Sequence, residues 1–171
     1  MTSVRRWWDE QALPRLVDVA LADATSGTWR TTVCVGATGE VLEIGFGSGR
    51  NLPYYGDTVT RVLAVEPADL AWARAKARVT ASGMPVTRVG LDGADLPVPD
   101  ASVDTVVSTW TLCTVPGVER ALHEARRVLR PGGQLRFVEH SAAPSRRVAG
   151  IQRRIQPLWG RVAGGCHVDR D

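Results

Sequence analysis

Residues 41–49 read Val-Leu-Glu-Ile-Gly-Phe-Gly-Ser-Gly, an apolar run with one acid followed by glycine at alternate positions. The apolar residues suit a buried strand, because they form a short run that ends at a turn signal. Gly45, Gly47 and Gly49 suit a sharp turn where backbone approaches a ligand without intervening Cβ atoms. Such a turn is typical of the carboxyl end of the first strand in a doubly wound α/β sheet. A dinucleotide is disfavoured, because Gly-x-Gly-x-x-Gly counted from Gly45 requires glycine where Arg50 stands.

The rest of the chain alternates between strand-like and helix-like segments, and this alternation predicts βαβ units around a parallel sheet. The predicted strands are 41–44, 61–66, 85–90, 103–108 and 134–140. The predicted helices are 9–23, 68–81, 116–130 and 144–161, the last interrupted at Pro157.

Composition indicates an ordinary globular domain: 171 residues, 44% hydrophobic and 23% charged. The net charge of +3 is too small to require a nucleic-acid partner. Cys34, Cys113 and Cys166 lie far apart in the sequence and form no Cys-x-x-Cys pair, so we expect no metal site and a reduced, cytoplasmic setting. No stretch approaches the roughly 18 apolar residues that a membrane-spanning helix requires.

Glu43 and the three glycines that follow it form an acid-x-Gly-x-Gly-x-Gly pattern. This pattern resembles the first motif of class I S-adenosyl-L-methionine-dependent methyltransferases. Further stretches resemble the small-molecule methyltransferases that include the ubiquinone/menaquinone C-methylases, and more specifically the thiol methyltransferases and their bacterial relatives. These stretches are 95–104, 111–115, 126–133 and 137–140, and the resemblance covers about residues 29–171.

The resemblance implies a Rossmann-like, doubly wound, mostly parallel sheet of strand order 3-2-1-4-5 that lacks the usual C-terminal antiparallel hairpin. It also implies that S-adenosyl-L-methionine is the cofactor. Within a single domain, 1–171, we expect a helical lid over 1–38, a cofactor-binding core over 39–140, and a basic helix with a substrate-side tail over 141–171.

Two acids at predicted strand ends are candidate cofactor ligands. Glu66 follows the glycines by about 20 residues, where a carboxylate can accept bonds from both ribose hydroxyls. Asp92 resembles the family's adenine-reading acid, although a turn-forming Asp-Gly is the alternative and Asp95 is an alternative register. Ala94 stands where many relatives carry Glu. The residues expected to bind the cofactor are Glu43, Gly45, Phe46, Gly47, Gly49, Asn51, Glu66, Pro67, Asp92, Gly93, Ala94, Ser108 and Thr109.

His140 is the candidate general base, because it ends the fifth predicted strand and imidazole titrates near neutral pH. The alternative is a structural histidine. Cys113 either lines the pocket or is a buried free thiol. The expected acceptor is a small molecule with a thiol, amine, or quinone- or lipid-like carbon nucleophile. The alternatives are a truncated, non-catalytic cofactor-binding protein and, less favoured, a nucleic-acid methyltransferase, since 108–111 does not resemble a pocket for a flipped base.

Two surfaces expected from the sequence indicate binding partners: an open sheet edge and a basic helix face. Stopping after five strands leaves 134–140 as an open sheet edge, so we expect a homo-oligomer that covers it. The last helix carries a basic face near Trp159 that favours weak association with a membrane surface or an acidic substrate, although a solvated face is the alternative. Its arginines are Arg146, Arg147, Arg153, Arg154 and Arg161.

Overall fold

The computed structural model describes residues 7–21 and 24–170. A π-helical turn, Trp8–Ala12, leads into helix α1 (Leu13–Ala20), and helix α2 (Ala24–Cys34) follows. The predicted helix over 9–23 is therefore shorter, and its last two positions lie outside the described residues. Helix α2 was not predicted, because its Ser- and Thr-rich sequence has a weak helix propensity and no clear apolar stripe.

Five strands form one parallel sheet of order β3-β2-β1-β4-β5. They are β1 (Gly39–Ile44), β2 (Val59–Val65), β3 (Val86–Gly90), β4 (Val103–Thr109) and β5 (Leu129–Val138). The connecting and following helices are α3 (Asp69–Ser82), α4 (Val118–Val128) and α5 (Arg146–Val162). This architecture confirms the predicted fold class and strand order, and the described residues contain no antiparallel strand after β5.

Strand β5 and the helices beside it differ from the sequence prediction. Helix α4 ends at Val128 rather than Arg130, and β5 begins at Leu129, which pairs with Val103. The ladder then shifts register, so that Thr105 pairs with Gln134. The prediction that the Pro-Gly-Gly turn precedes β5 is wrong, because an edge strand tolerates a proline and an irregularity of this kind.

Helix α5 is also continuous where an interruption was predicted. Pro157 lies inside the helix, which runs on to Val162, and the Ala163 N–H donates to the Trp159 carbonyl. A proline inside a helix removes one backbone donor, but the turn on its carboxyl side keeps its own bonds.

The sheet is buried on both faces. Alternate residues of β1 point to opposite sides: Val41 packs with Cys34 of α2, whereas Leu42 and Ile44 pack with Val128 of α4. Two covered faces explain why the central strands read as nearly continuous apolar runs. No helix in the described part of the chain is long and apolar enough to cross a lipid bilayer.

Parallel pairing places the ends of β1, β2 and β4 along one edge of the sheet. The N–H groups of Gly45 and Phe46 both donate to the Val65 carbonyl, at 2.9 and 3.1 Å. Residues that directly follow these strands are therefore neighbours, although they are distant in sequence.

Candidate functional site

A cavity of about 270 Å³ lies at the carboxyl ends of β1, β2 and β4. One side is the glycine loop, defined here as residues 45–50, and another is the segment 66–68 after β2. Residues 109–111 at the end of β4, helix α1 and Gly164 near the C-terminus complete the lining. The cavity is at the topological switch point, where open α/β sheets bind ligands.

Two glycines of this loop adopt backbone conformations that residues with a side chain rarely adopt. Gly45 has φ +77°, and a Cβ at this position would overlap the Thr111 side chain. Gly47 has φ +58°, and a Cβ there would have no atom closer than the Gly45 carbonyl oxygen at 4.0 Å. The backbone at Gly47 is therefore open to the cavity, as close approach of a ligand requires.

Glu66 joins the glycine loop to the end of β2. Its carboxylate accepts hydrogen bonds from the N–H groups of Gly47, at 2.6 Å, and Ala68, at 2.7 Å. Burial raises the pKa of Glu66, and these two donors, together with Arg88, partly offset the rise. Each carboxylate oxygen keeps acceptor capacity for a further donor, so two hydroxyl groups of a ligand can bind here.

Glu43 supports the glycine loop from behind. Its buried carboxylate accepts from Asn51 Nδ2, at 2.8 Å, and from the Tyr55 hydroxyl, at 2.6 Å. Burial raises the pKa of Glu43 to about 7, although the Tyr55 hydrogen bond and the charge of Arg30 oppose the rise. Neither Glu43 nor Asn51 lines the cavity, so the structure gives them a positioning role for the loop.

Arg30 of α2 is a cavity-lining cation that the sequence did not reveal. Its Nη1 lies 2.5 Å from Asn51 Oδ1 and 3.3 Å from Thr109 Oγ1. Its guanidinium carbon lies 4.9 Å from the ring centroid of Trp110. Arg30 Nε is buried and has no hydrogen-bond partner in the described part of the chain. The positive charge of Arg30 in the cavity lining suits an anionic group.

Asp18 links helix α1 to the glycine loop through hydrogen bonds. Its carboxylate accepts hydrogen bonds from Ser48 Oγ at 2.5 Å, Arg50 Nε at 2.6 Å and Arg74 Nη2 at 2.6 Å. Burial alone would raise the pKa of Asp18, but these three donors outweigh it and hold the pKa well below its ordinary value. Because Leu13 also lines the cavity, α1 covers it as a lid would.

The structure brings about half of the predicted cofactor ligands to the cavity. Those that line it are Gly45, Phe46, Gly47, Glu66, Pro67 and Thr109. Those that do not are Glu43, Gly49, Asn51, Asp92, Gly93, Ala94 and Ser108. The cavity-lining polar residues that sequence reasoning missed are Asp18, Arg30, Ser48, Arg50, Trp110, Thr111 and Thr114. Of these, Ser48 and Arg50 belong to the glycine loop itself, and Thr111 and Thr114 belong to the stretch 111–115 that carries part of the resemblance, whereas Asp18, Arg30 and Trp110 carried no recognisable pattern.

The residues predicted to read adenine make local contacts. Asp92 is exposed, and its Oδ1 accepts from the Ala94 N–H at 2.8 Å, as expected for a turn-forming Asp-Gly. Gly93 packs closely against Ile44, where a Cβ would lie 2.7 Å from Cγ2. The Ser108 hydroxyl donates to Glu139. The assignment of Asp92 to adenine stays a prediction.

Glu139 organises the loop that follows β4. Its carboxylate accepts from the Ser108 hydroxyl and from the N–H groups of Thr111, Leu112 and Cys113, at 2.7 to 3.1 Å. Four donors on one carboxylate hold this loop in a single conformation beside the cavity.

His140 lies against sulfur atoms rather than against the cavity. Its Nδ1 is 3.5 Å from both Cys113 Sγ and Cys166 Sγ, and the two sulfurs are 3.6 Å apart. The hydrogen bond between the two thiols lowers the pKa of Cys166 and raises the pKa of Cys113, and the hydrogen bond to Cys166 raises the pKa of His140. The role of His140 as a general base stays a prediction. Cys113 and Cys166 are 53 positions apart in the sequence, so no local motif indicated that their side chains would meet.

Comparison with known proteins identifies relatives of the chain. A family model described as a methyltransferase domain matches residues 42–137. Thiol S-methyltransferase of Homo sapiens is 36% identical over 144 residues, which cover 80% of this chain and 58% of that protein. Phosphatidylethanolamine N-methyltransferase of Cereibacter sphaeroides is 35% identical over 143 residues, covering 82% of this chain and 69% of that protein. The chain therefore spans little more than half the length of the thiol methyltransferase.

A solved structure shares the fold. The S-adenosylmethionine-dependent methyltransferase of Mesorhizobium loti superposes with a TM-score of 0.56 and 22% identity, over 71% of this chain and 56% of that chain. Identity this low establishes the shared architecture alone.

Replacing Glu43 with Gln tests the buried support of the glycine loop. The native carboxyl has a pKa of about 7 when folded and an ordinary value of 4.5, so the folded state holds a proton that the unfolded state releases between these pH values. Wild-type stability from this group is therefore lost as pH rises from about 4.5 to 7, and the variant lacks that loss. We expect the unfolding free energy of Glu43→Gln minus that of wild type to increase by roughly 2 kcal/mol between pH 5 and pH 8.

Urea denaturation followed by circular dichroism at several pH values measures this difference. Glu119→Gln, at an exposed position of α4, is the matched control and should give a flat difference curve. A flat or falling curve for Glu43→Gln would show that the carboxylate is not destabilised by its burial.

Proposed function

Because the chain belongs to the methyltransferase domain family, as a class I S-adenosylmethionine-dependent methyltransferase, we propose that it transfers the cofactor's methyl group to a small-molecule acceptor by in-line displacement. The observation that carries this proposal is the cavity in which the open backbone of Gly47 meets the carboxylate of Glu66. Relatives are named for S-methylation of thiols, N-methylation of phosphatidylethanolamine and C-methylation in ubiquinone/menaquinone biosynthesis. We therefore propose a thiol, amine, or quinone- or lipid-like carbon as the acceptor.

The residues present fit S-adenosylmethionine. When bound, this cofactor supplies a methyl group on a positively charged sulfur, which is a good leaving group. Glu66 lies where its free lone pairs can accept both ribose hydroxyls, and the backbone at Gly45 and Gly47 admits the amino-acid end. Arg30, with its free Nε, lies beside the same loop and complements a carboxylate.

The chain's contribution to the rate is mainly alignment. Holding donor and acceptor in line contributes roughly 7 to 11 kcal/mol of barrier reduction without a covalent intermediate. Helix α1, held by the ion pairs of Asp18, and Gly164 near the C-terminus line the cavity from two sides. A general base is needed only where the acceptor must lose a proton, and His140 is proposed for that role on its sequence position alone.

Replacing Glu66 with Ala tests the cofactor site. Loss of a charged acceptor for the ribose hydroxyls should weaken S-adenosylhomocysteine binding by about 1 to 3 kcal/mol, or roughly 5- to 150-fold in Kd. Isothermal titration calorimetry measures this change. Asp69→Ala, at a 91% exposed carboxylate at the start of α3, is the control and should bind as wild type does. Equal affinity in wild type and Glu66→Ala would remove Glu66 from the site.

Methyl transfer itself is tested with S-adenosylmethionine and three probes: a small aromatic thiol, ethanolamine and a soluble quinol. We expect S-adenosylhomocysteine to be released with one probe class, at a rate that falls when Glu66 is replaced. Binding of S-adenosylhomocysteine without transfer to any probe would instead favour the non-catalytic alternative. Transfer confined to an added oligonucleotide would favour a nucleic-acid methyltransferase.

Helix α5 supports the proposed association with a membrane surface. Six apolar side chains that recur every three or four residues are 41 to 68% exposed: Val148, Ile151, Ile155, Leu158, Trp159 and Val162. Exposed arginines at 147, 154 and 161 run beside this stripe. A stripe that combines apolar and cationic side chains suits the interface of an anionic lipid bilayer.

Vesicle sedimentation tests this surface. We expect more protein to sediment with vesicles of phosphatidylglycerol and phosphatidylcholine than with phosphatidylcholine alone, and the excess to fall with added salt. The double variant Ile155→Ser/Leu158→Ser should lose the binding, because it removes two exposed apolar contacts. Val35→Ser, at an exposed valine outside α5, is the matched control. Equal sedimentation with both vesicle types would argue for a merely solvated helix.

Two further expectations stay predictions. Strand β5 is the edge of the sheet, with Phe137 58% exposed, so association of two chains through this edge is still proposed. Arg136 covers part of it by donating to the carbonyls of Thr32 and Val33 in α2. A cytoplasmic location is likewise a proposal.

A further inference from the structure

Three side chains outside the cavity lining form a compact group of soft ligands, the Cys113–His140–Cys166 cluster. We propose that this cluster binds a zinc ion through Cys113 Sγ, Cys166 Sγ and His140 Nδ1. The two sulfurs lie 3.6 Å apart, and each lies 3.5 Å from the imidazole nitrogen. Among the described residues, this is the group whose ligand atoms converge as a metal site requires.

The distances agree with tetrahedral coordination. Zinc–sulfur bonds of about 2.3 Å and a zinc–nitrogen bond of about 2.0 Å place two sulfurs about 3.8 Å apart and sulfur and nitrogen about 3.5 Å apart. The three observed separations are within a few tenths of an ångström of these values. The side chains can therefore enclose an ion with little movement.

Backbone hydrogen bonds hold the two cysteine ligands in place from separate parts of the chain. Cys113 is on the loop after β4, where its N–H donates to Glu139 at 3.1 Å. Cys166 is in the tail after α5, and its N–H donates to the Ala163 carbonyl at 3.0 Å. The two segments are joined directly by a 2.8 Å bond from the His167 N–H to the Cys113 carbonyl. Ligands that are fixed before binding lose little conformational entropy when the metal arrives.

Charge and donor type select zinc over harder cations. Thiolate and imidazole suit zinc, whereas magnesium and calcium prefer oxygen. Cys113 and Cys166 are 2% and 4% exposed, so two isolated thiolates there would carry a high desolvation cost. Zn²⁺ binds both cysteines as thiolates and His140 through an unprotonated Nδ1, so any protons on these three atoms are released to solvent, and the pair of thiolates balances the charge of the ion.

His140 is exposed, so the cluster reaches solvent and an ion can enter. Three protein ligands leave one position of the tetrahedron for water, which is the arrangement of reactive rather than purely structural zinc sites. Coordination by Nδ1 would leave the remaining imidazole proton on Nε2. A zinc-bound His140 therefore cannot remove a proton from an acceptor, and the two roles exclude each other.

A disulfide between Cys113 and Cys166 is the competing outcome. It would require the sulfurs to approach from 3.6 Å to about 2.05 Å, and it would need an external oxidant. It would also leave the placement of His140 Nδ1 at equal distances from both sulfurs without a function. The zinc proposal accounts for all three separations and is independent of the proposed methyl transfer.

The test uses the full chain, reduced and stripped of metal with a chelator. We expect one zinc ion per chain, measured by competition with a chromophoric chelator. Cobalt(II) in its place should give a thiolate-to-cobalt charge-transfer band and the visible absorption of a tetrahedral site. Cys113→Ser, Cys166→Ser and His140→Ala should each weaken zinc binding by at least about 100-fold. His140→Ala changes an exposed side chain, so its fold should survive even where a buried cysteine variant does not.

Cys34→Ser is the matched control, because Cys34 is a buried free thiol outside the cluster, and it should bind zinc as wild type does. S-adenosylhomocysteine binding, measured in parallel on the metal-free chain, separates failure of this proposal from failure of the proposed function. The proposal is overturned if wild type binds no zinc, if the cobalt complex lacks a thiolate band, or if Cys34→Ser loses as much affinity as the cluster variants. A Cys113–Cys166 disulfide in the isolated chain, with no zinc uptake after reduction, would favour the competing outcome.

Discussion

The Glu66 carboxylate bridges two strand ends, and the ligand cavity depends on that bridge. Parallel pairing of β1 with β2 brings the glycine loop and the end of β2 side by side. The carboxylate then occupies the N–H groups of Gly47 and Ala68, which would otherwise be unpaired donors at the sheet edge. The same side chain therefore shapes the loop and also faces the cavity, so the proposed role of Glu66 in ligand binding uses a residue that the loop structure itself requires.

Two buried carboxylates, on two sides of the glycine loop, accept hydrogen bonds from neighbouring side chains. Behind it, Glu43 lies beside Asn51 and Tyr55, with Arg30 reaching Asn51 from α2. On the side of helix α1, the Asp18 carboxylate accepts hydrogen bonds from Ser48, Arg50 and Arg74. Hydrogen bonds outweigh the cost of burial at Asp18 and offset part of it at Glu43, and they hold the loop in place. Such a loop can present its backbone to a ligand with little reorganisation.

The loop after β4 is organised by the same principle. The Glu139 carboxylate accepts hydrogen bonds from the N–H groups of Thr111, Leu112 and Cys113. These bonds hold Cys113 next to Cys166, which lies in the segment after α5. The tail also supplies Gly164 to the cavity. One short region thus connects the proposed zinc cluster to the wall of the cavity, although the residues of the cluster do not line the cavity.

Much of the fold could be predicted from local patterns. The alternation of strand-like and helix-like segments predicted the parallel sheet, whereas the strand order was implied by the resemblance to the methyltransferases. The glycine pattern and the spacing to Glu66 placed both features at the ends of β1 and β2, because these signals lie within about 25 residues of each other. The errors in the predicted strand and helix bounds also arose from local patterns. The start of β5 was misplaced, since a proline and two glycines normally end a segment but are tolerated at a sheet edge.

By itself, the sequence determined the parallel sheet, the glycine loop, the carboxylate at the end of β2 and the family, because each depends on short-range order along the chain. The tertiary structure alone decided that Asp18 and Arg30 reach the loop from helices without a motif. It also decided that Glu43 supports the loop instead of lining the cavity, and that His140 meets two cysteines. These contacts join residues far apart in sequence, and side-chain convergence of that kind follows from packing rather than from periodicity.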